Sequence, residues 1–137
     1  MDEPSKPRVL FVDDDPCVTD ALRRALSQEP IELLTANNAS QALGLLVQHQ
    51  VDVVVADERM PGMSGTDLLI RVRRDFPSTI RIVLTGHASL EMTTKAMNEG
   101  QIHRLFTKPC KVSDLLAAIR DTMGQRRPED AAGPMAA

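Results

Sequence analysis

VDVVVADERMPGMSG, residues 51–65, opens with a short run in which almost every side chain is apolar and most are β-branched. A half-exposed strand would alternate apolar with polar residues. This one reads as buried on both faces, the mark of a parallel sheet covered by helices on either side. The run ends on an acid, Asp57, and Pro61, Gly62 and Gly65 then mark a loop.

The same arrangement repeats in both directions along the chain. Apolar runs occur at Val9–Val12, Ile31–Ala36, Val51–Ala56 and Ile80–Thr85, with a weaker one at Ile102–Thr107. Between them lie segments with helical periodicity. Val18, Leu22, Ala25 and Leu26 share one face, behind Asp15 as N-cap and Pro16 at the first helical position. Ala42, Leu43, Leu46 and Val47 follow Asn38 as a second cap. Leu68, Leu69, Val72 and Phe76 form a third stripe that stops before Pro77. A weaker fourth, about Leu90–Asn98, has Leu90, Met92, Ala96 and Met97 as its apolar members and ends at Gly100. The fifth carries Val112, Leu115, Leu116, Ile119 and Met123, up to Gly124. Five strands alternating with five helices predict a doubly wound three-layer α/β/α domain over residues 8–124. Residues 1–7 read as a flexible start and 125–137 as a linker or disordered tail.

Composition narrows the function classes. The 137 residues suffice for one domain, and 42% are hydrophobic. With three Phe and neither Trp nor Tyr, the core must be aliphatic and no base-stacking surface is expected. A net charge of -3 argues against direct nucleic-acid binding, and Arg71, Arg73 and Arg74 read as the wet face of a helix. No stretch is apolar enough to span a membrane and no secretory signal opens the chain, so a cytoplasmic location is expected. Cys17 and Cys110 lack metal-ligand spacing and read as reduced thiols.

In an open parallel sheet, ligands gather at the carboxyl ends of the strands. Here those ends carry Asp13-Asp14-Asp15, then Asp57, then Thr85-Gly86-His87, then Thr107-Lys108-Pro109. Each has an ordinary reading: Asp15 as a helix cap, Thr85 as a good strand residue, Lys108 as a solvated charge, Asp57 as a loop acid. Taken together they place carboxylates, a hydroxyl and a lysine on one rim. Clustered carboxylates repel and raise one another's pKa, and a hard divalent cation such as Mg²⁺ relieves the repulsion.

Four stretches resemble the response-regulator receiver family: VLFVDDDP (9–16), VDVVVADERMPGMSG (51–65), IVLTGHA (82–88) and FTKP (106–109). The resemblance covers about residues 8–123. It implies a flavodoxin-like sheet with strand order 2-1-3-4-5. It makes Asp57 the phosphoacceptor, with a phosphohistidine on a sensor histidine kinase or phosphotransfer protein as donor. Asp13, Asp14, Asp57 and the backbone carbonyl of Arg59 would hold Mg²⁺, or Mn²⁺ in its place, Asp14 directly and Asp13 at least partly through water. Thr85 and Lys108 would bind the phosphoryl oxygens, Pro109 would follow a cis bond, and Gly65 would serve the tight loop after Asp57. The Arg59 side chain and His87 would tune phosphoryl lifetime, although His87 reads equally well as a surface loop residue. The face built from the fourth helix, fifth strand and fifth helix would then change its affinity for an output partner or for a second copy of the chain.

This sequence departs from the family at two points. Leu105 stands where an aromatic residue is usual, so it is expected to pack toward Thr85 with a smaller movement. Cys110 stands where tryptophan is common. A moderate resemblance of 98–109 and ADERMPGMSG points to a subgroup joined to cyclic-dinucleotide phosphodiesterase, transcriptional-activator or kinase modules. The alternative is a haloacid dehalogenase-type phosphatase with Asp13 as nucleophile. That reading leaves Asp57 idle, puts Cys17 in a Thr/Val position and finds no acidic pair after Lys108.

Overall fold

The computed structural model describes residues 6–86 and 89–124. The expectations for residues 1–5, His87 and 125–137 lie outside the described residues. The elements run β1 (Arg8–Val12), α1 (Pro16–Ala25), β2 (Glu32–Ala36), α2 (Ala39–Gln48), β3 (Val53–Asp57), α3 (Gly65–Asp75), β4 (Ile80–Thr85), α4 (Leu90–Lys95), β5 (Arg104–Thr107) and α5 (Val112–Gly124). A π-helical turn, Ala96–Gly100, extends α4. All strand pairs are parallel, in the order β2-β1-β3-β4-β5.

Two apolar clusters lie on opposite sides of this sheet. On one side Leu10, Val12, Val54 and Val83 pack under Leu46 of α2, Leu68 and Val72 of α3, and Ala96. On the other, Phe11, Val53, Val55 and Leu84 pack under Leu22 of α1 and Leu115 and Ile119 of α5. Every residue of β3 is buried, so the central strand stabilises both layers, at about 1.5–3 kcal/mol for each large apolar side chain. The helices begin where short polar side chains satisfy orphan N–H groups. Asp15 accepts from Cys17 N at 2.9 Å and Asn38 from Gln41 N at 2.8 Å; Ser64 and Ser89 cap α3 and α4 in the same way. Among the described residues, no helix is long and apolar enough to cross a membrane.

Three expected strand starts and three expected helix faces differ. β2, β3 and β5 begin later than Ile31, Val51 and Ile102, although Val51 and Ile102 are buried. Ala25 is exposed on α1, and Thr19 takes a buried place on the core side. Val47 is 77% exposed, and Leu45 packs against the core instead. The fourth stripe does not form a buried face. Leu90 is 85% and Met97 53% exposed, and only Ala96 of its four members is buried.

At the far end of this segment stands Arg81, inside β4 and 5% exposed. A buried guanidinium must be hydrogen-bonded. Arg81 donates to the carbonyl oxygens of Thr79 (2.8 Å), Gly100 (2.9 Å) and Gln101 (3.2 Å), and Arg73 of α3 donates to Glu99 O at 3.0 Å. These bonds hold carbonyl oxygens at and just past the end of the π turn Ala96–Gly100, so Met97 leaves the 3.6 period on which the stripe was read, while Leu90 and Met92 lie upstream in regular α4.

Gly65 opens α3 directly against the end of β3. A Cβ there would sit 2.4 Å from Asp57 O and 2.9 Å from Asp57 C, both main-chain atoms that cannot swing aside. Gly65→Ala is therefore expected to destabilise the fold by about 1–3 kcal/mol, toward the upper end. Thermal melting checks this, and an unchanged midpoint would show that the loop has room the structure does not display.

Candidate functional site

The strand register brings the polar ends together. Val12 pairs with Ala56, Asp57 with Leu84, and Thr85 with Thr107. The ladder continues one step past the strands: Asp13 N donates to Ala36 O (3.1 Å), Glu58 N to Leu84 O (2.8 Å) and Lys108 N to Thr85 O (2.7 Å). Asp13, Asp57, Thr85 and Lys108 therefore share the carboxyl edge, at the point where strand order reverses between β1 and β3.

Side-chain geometry tightens this cluster. One carboxylate oxygen from each of Asp13, Asp14 and Asp57 lies within 4.8 Å of the others. Asp13 and Asp57 are buried and Asp14 is exposed. Lys108 Nζ sits 2.7 Å from Asp57 Oδ1 and 3.9 Å from Asp13 Oδ2. Asp13 Oδ1 accepts the N–H of Asp15 at 2.9 Å, whereas its buried Oδ2 has no hydrogen-bond partner among the described residues. A buried, unpartnered carboxylate oxygen beside two further carboxylates is the donor set a hard divalent cation requires. Thr85 is buried at the same edge. A cavity of about 250 Å³ opens there, lined by Asp57, Arg59, Gly86 and Lys108. The Lys108–Pro109 bond is cis.

Burial is the main cause that raises the Asp13 pKa above its ordinary 3.8; the Asp57 and Asp14 charges add to it, against the Asp15 N–H and Lys108. An acid whose pKa rises on folding favours the metal-free fold at low pH, and that contribution is lost as pH climbs through the raised value. In EDTA, the melting temperature of an Asp13→Asn protein should therefore gain on the parent as pH rises past the ordinary aspartate range. A difference that stays constant across that range would contradict the burial and repulsion described here.

Leu105 and Phe106 point to opposite faces, as adjacent strand residues must. Leu105 packs on the cluster that holds Val83 and Ala96, two residues from Thr85 along paired strands, and Phe106 packs on the α1/α5 side. Cys17 and Cys110 both line a larger apolar groove of about 740 Å³ between α1 and the start of α5, which reaches Lys108. Burial pushes the Cys110 thiol pKa up, which lowers its reactivity.

Sequence reading missed Glu58 and Thr66. The carboxylate of Glu58 accepts both the N–H (2.8 Å) and the hydroxyl (2.6 Å) of Thr66. The only signal was an acid next to Asp57 and a threonine in the first turn of the next helix, and nothing in their spacing shows that the loop closes on itself.

A family model described as the response regulator receiver domain matches residues 9–120. The chain is 36% identical over 115 residues to the hydrogenase transcriptional regulatory protein HoxA of Cupriavidus necator, covering 84% of this chain and 24% of that protein. The chain thus spans about a quarter of that relative's length. Among solved structures, the signal receiver domain of an HD domain-containing protein from Pseudomonas fluorescens superposes with a TM-score of 0.84 at 39% identity, covering 88% of this chain and 97% of that one. The beryllofluoride-activated NtrC4 receiver domain dimer gives 0.79 at 28% identity, covering 88% and 98%. These matches do not support the phosphatase alternative with Asp13 as nucleophile.

Proposed function

This chain belongs to the response regulator receiver domain family, and we propose that it is a switch that accepts a phosphoryl group on Asp57 from a phosphohistidine. The observation that carries this reading is the 2.7 Å contact of Lys108 with Asp57, next to the Asp13 and Asp14 carboxylates. Receiver domains act as signalling switches, and they bind Mg²⁺ at an acidic pocket of this composition. Asp13, Asp14, Asp57 and the main chain of Arg59 would hold the ion, with Mn²⁺ as a substitute. The ion supplies positive charge that offsets the repulsion between the carboxylates and the incoming phosphoryl group.

A carboxylate oxygen of Asp57 attacks phosphorus as the bond from phosphorus to the donor imidazole nitrogen breaks. That electron pair returns to the nitrogen, which is protonated, and an acyl phosphate remains on Asp57. Lys108 already lies at the acceptor oxygen, so its charge is in place as negative charge builds. Thr85 donates its hydroxyl to a phosphoryl oxygen. The modification adds roughly -1.5 to -2 charge, by analogy with other phosphorylated side chains. Lys108 and Thr85 follow that charge, and Leu105, with less bulk than an aromatic, relays a smaller displacement to the segment after α4.

The receiver unit spans 8–124 and acts in the cytoplasm. Its partners are a histidine kinase or phosphotransfer protein and an output, either an attached cyclic-dinucleotide phosphodiesterase, transcriptional-activator or kinase module or, for a stand-alone chain, a separate partner. Leu90 at the start of α4 and Met97 in the π turn after it are exposed, and the switch face is read as α4, β5 and α5. The NtrC4 receiver is described as a dimer, and two copies of this chain would pair through that face. The side chains of Arg59 and His87 set the acyl-phosphate lifetime. The test is intact mass after incubation with acetyl phosphate, with and without Mg²⁺. The expected result is one added phosphoryl group that requires the ion; no adduct under either condition overturns the reading.

A further inference from the structure

We propose that Glu58 is a positioning residue for the metal site: its carboxylate closes the loop 59–64 and sets the main chain at Arg59 before any ion arrives. The inference rests on the reading of Asp57 and its neighbours as a metal-dependent acceptor site.

Glu58 is tied through its main-chain N–H, its carbonyl oxygen and one carboxylate oxygen. Its N–H donates to Leu84 O on β4 (2.8 Å), and its carbonyl oxygen accepts the N–H of Gly65 (3.1 Å). Its Oε1 accepts from Thr66 N (2.8 Å) and Thr66 Oγ1 (2.6 Å). Thr66 is 2% exposed and Glu58 half-buried, and Oε1 lies at a helix N-terminus where negative charge is favoured. The loop between the two residues contains Pro61 and Gly62, the latter at φ 82°. Such a loop has many conformations open to it unless its ends are fixed. Fixing both ends matters because Arg59 stands at the rim of the cavity that holds Asp57 and Lys108.

Glu58 is not itself one of the clustered carboxylates, which are Asp13, Asp14 and Asp57. Its effect on an ion therefore passes through the backbone it holds or through its charge at a distance, and we assign it to the backbone. Groups that orient metal ligands from behind typically change affinity by roughly 10–100-fold when removed.

The test compares Glu58→Ala, Glu58→Gln and Thr66→Val with the parent chain. Binding of Mn²⁺ is followed by the free-ion EPR signal, with Mg²⁺ as competitor. Melting temperature and amide exchange at Thr66 are measured in EDTA. Glu58→Ala should weaken ion binding by roughly 10–100-fold and speed exchange at Thr66. Glu58→Gln keeps an acceptor oxygen in place and should restore most of the affinity, and Thr66→Val should fall between. If Glu58→Ala melts earlier yet binds Mn²⁺ as the parent does, the residue is structural only and the proposal fails. It also fails if Glu58→Gln is as weak as Glu58→Ala, since charge at a distance would then explain the effect. Should Glu58→Ala not fold, Glu58→Gln and Thr66→Val decide between these outcomes. A parent that binds neither ion overturns the site reading, and this inference with it.

Discussion

An Asp57→Asn protein takes up no phosphoryl group from acetyl phosphate or from a phosphohistidine donor, at any Mg²⁺ concentration. Asparagine has nearly the same shape, so the buried position, next to Lys108 and against the Gly65 backbone, stays filled. An amide oxygen lacks the negative charge needed to attack phosphorus, and one of the clustered carboxylates is gone. Incorporation should fall to background while the circular dichroism spectrum keeps the parent's form. The same measurement separates loss of the acceptor from loss of the fold. Labelling that persists in this variant would place the acceptor elsewhere.

The second large effect is expected at Asp13. Asp13→Asn should weaken Mg²⁺ binding by about 100-fold or more, since a group that is itself a ligand costs at least as much as one that orients a ligand. The buried Oδ2 has no hydrogen-bond partner among the described residues and only a 3.9 Å ion pair with Lys108, so it has the most to gain from an ion. The metal-free variant should at the same time melt higher than the parent at neutral pH, because a buried carboxylate next to Asp57 has been neutralised. Isothermal titration with Mg²⁺ and melting in EDTA check the two halves. Equal affinity in parent and variant would remove Asp13 from the ligand set.

Most of the architecture is legible in the chain because period and burial coincide there. The buried reading of Val51–Ala56 holds, and the caps at Asp15 and Asn38 sit where short polar side chains precede apolar stripes. Legibility fails where a residue's environment is set by a distant segment. Arg81 reads as one polar residue in an apolar strand, yet it fixes the end of the fourth helical segment through carbonyl oxygens some twenty residues away. The far end of the fourth stripe, Met97 in the π turn, therefore departs from its spacing. Val47 fits its stripe by spacing, but α2 is turned so that Leu45 meets the core. At the site, Asp13, Asp57, Thr85 and Lys108 could be placed together because each closes a strand of one parallel sheet. Glu58 could not, since its partner Thr66 lies across a loop whose closure the sequence does not encode in any period.

The account depends above all on which carboxylate receives the phosphoryl group. Borohydride reduction of the phosphorylated protein converts an aspartyl phosphate to homoserine, and peptide mass mapping locates it. The prediction is homoserine at position 57 alone, formed only when Mg²⁺ was present during phosphorylation. Homoserine at position 13 or 14, or at 57 without any need for the ion, would contradict the account.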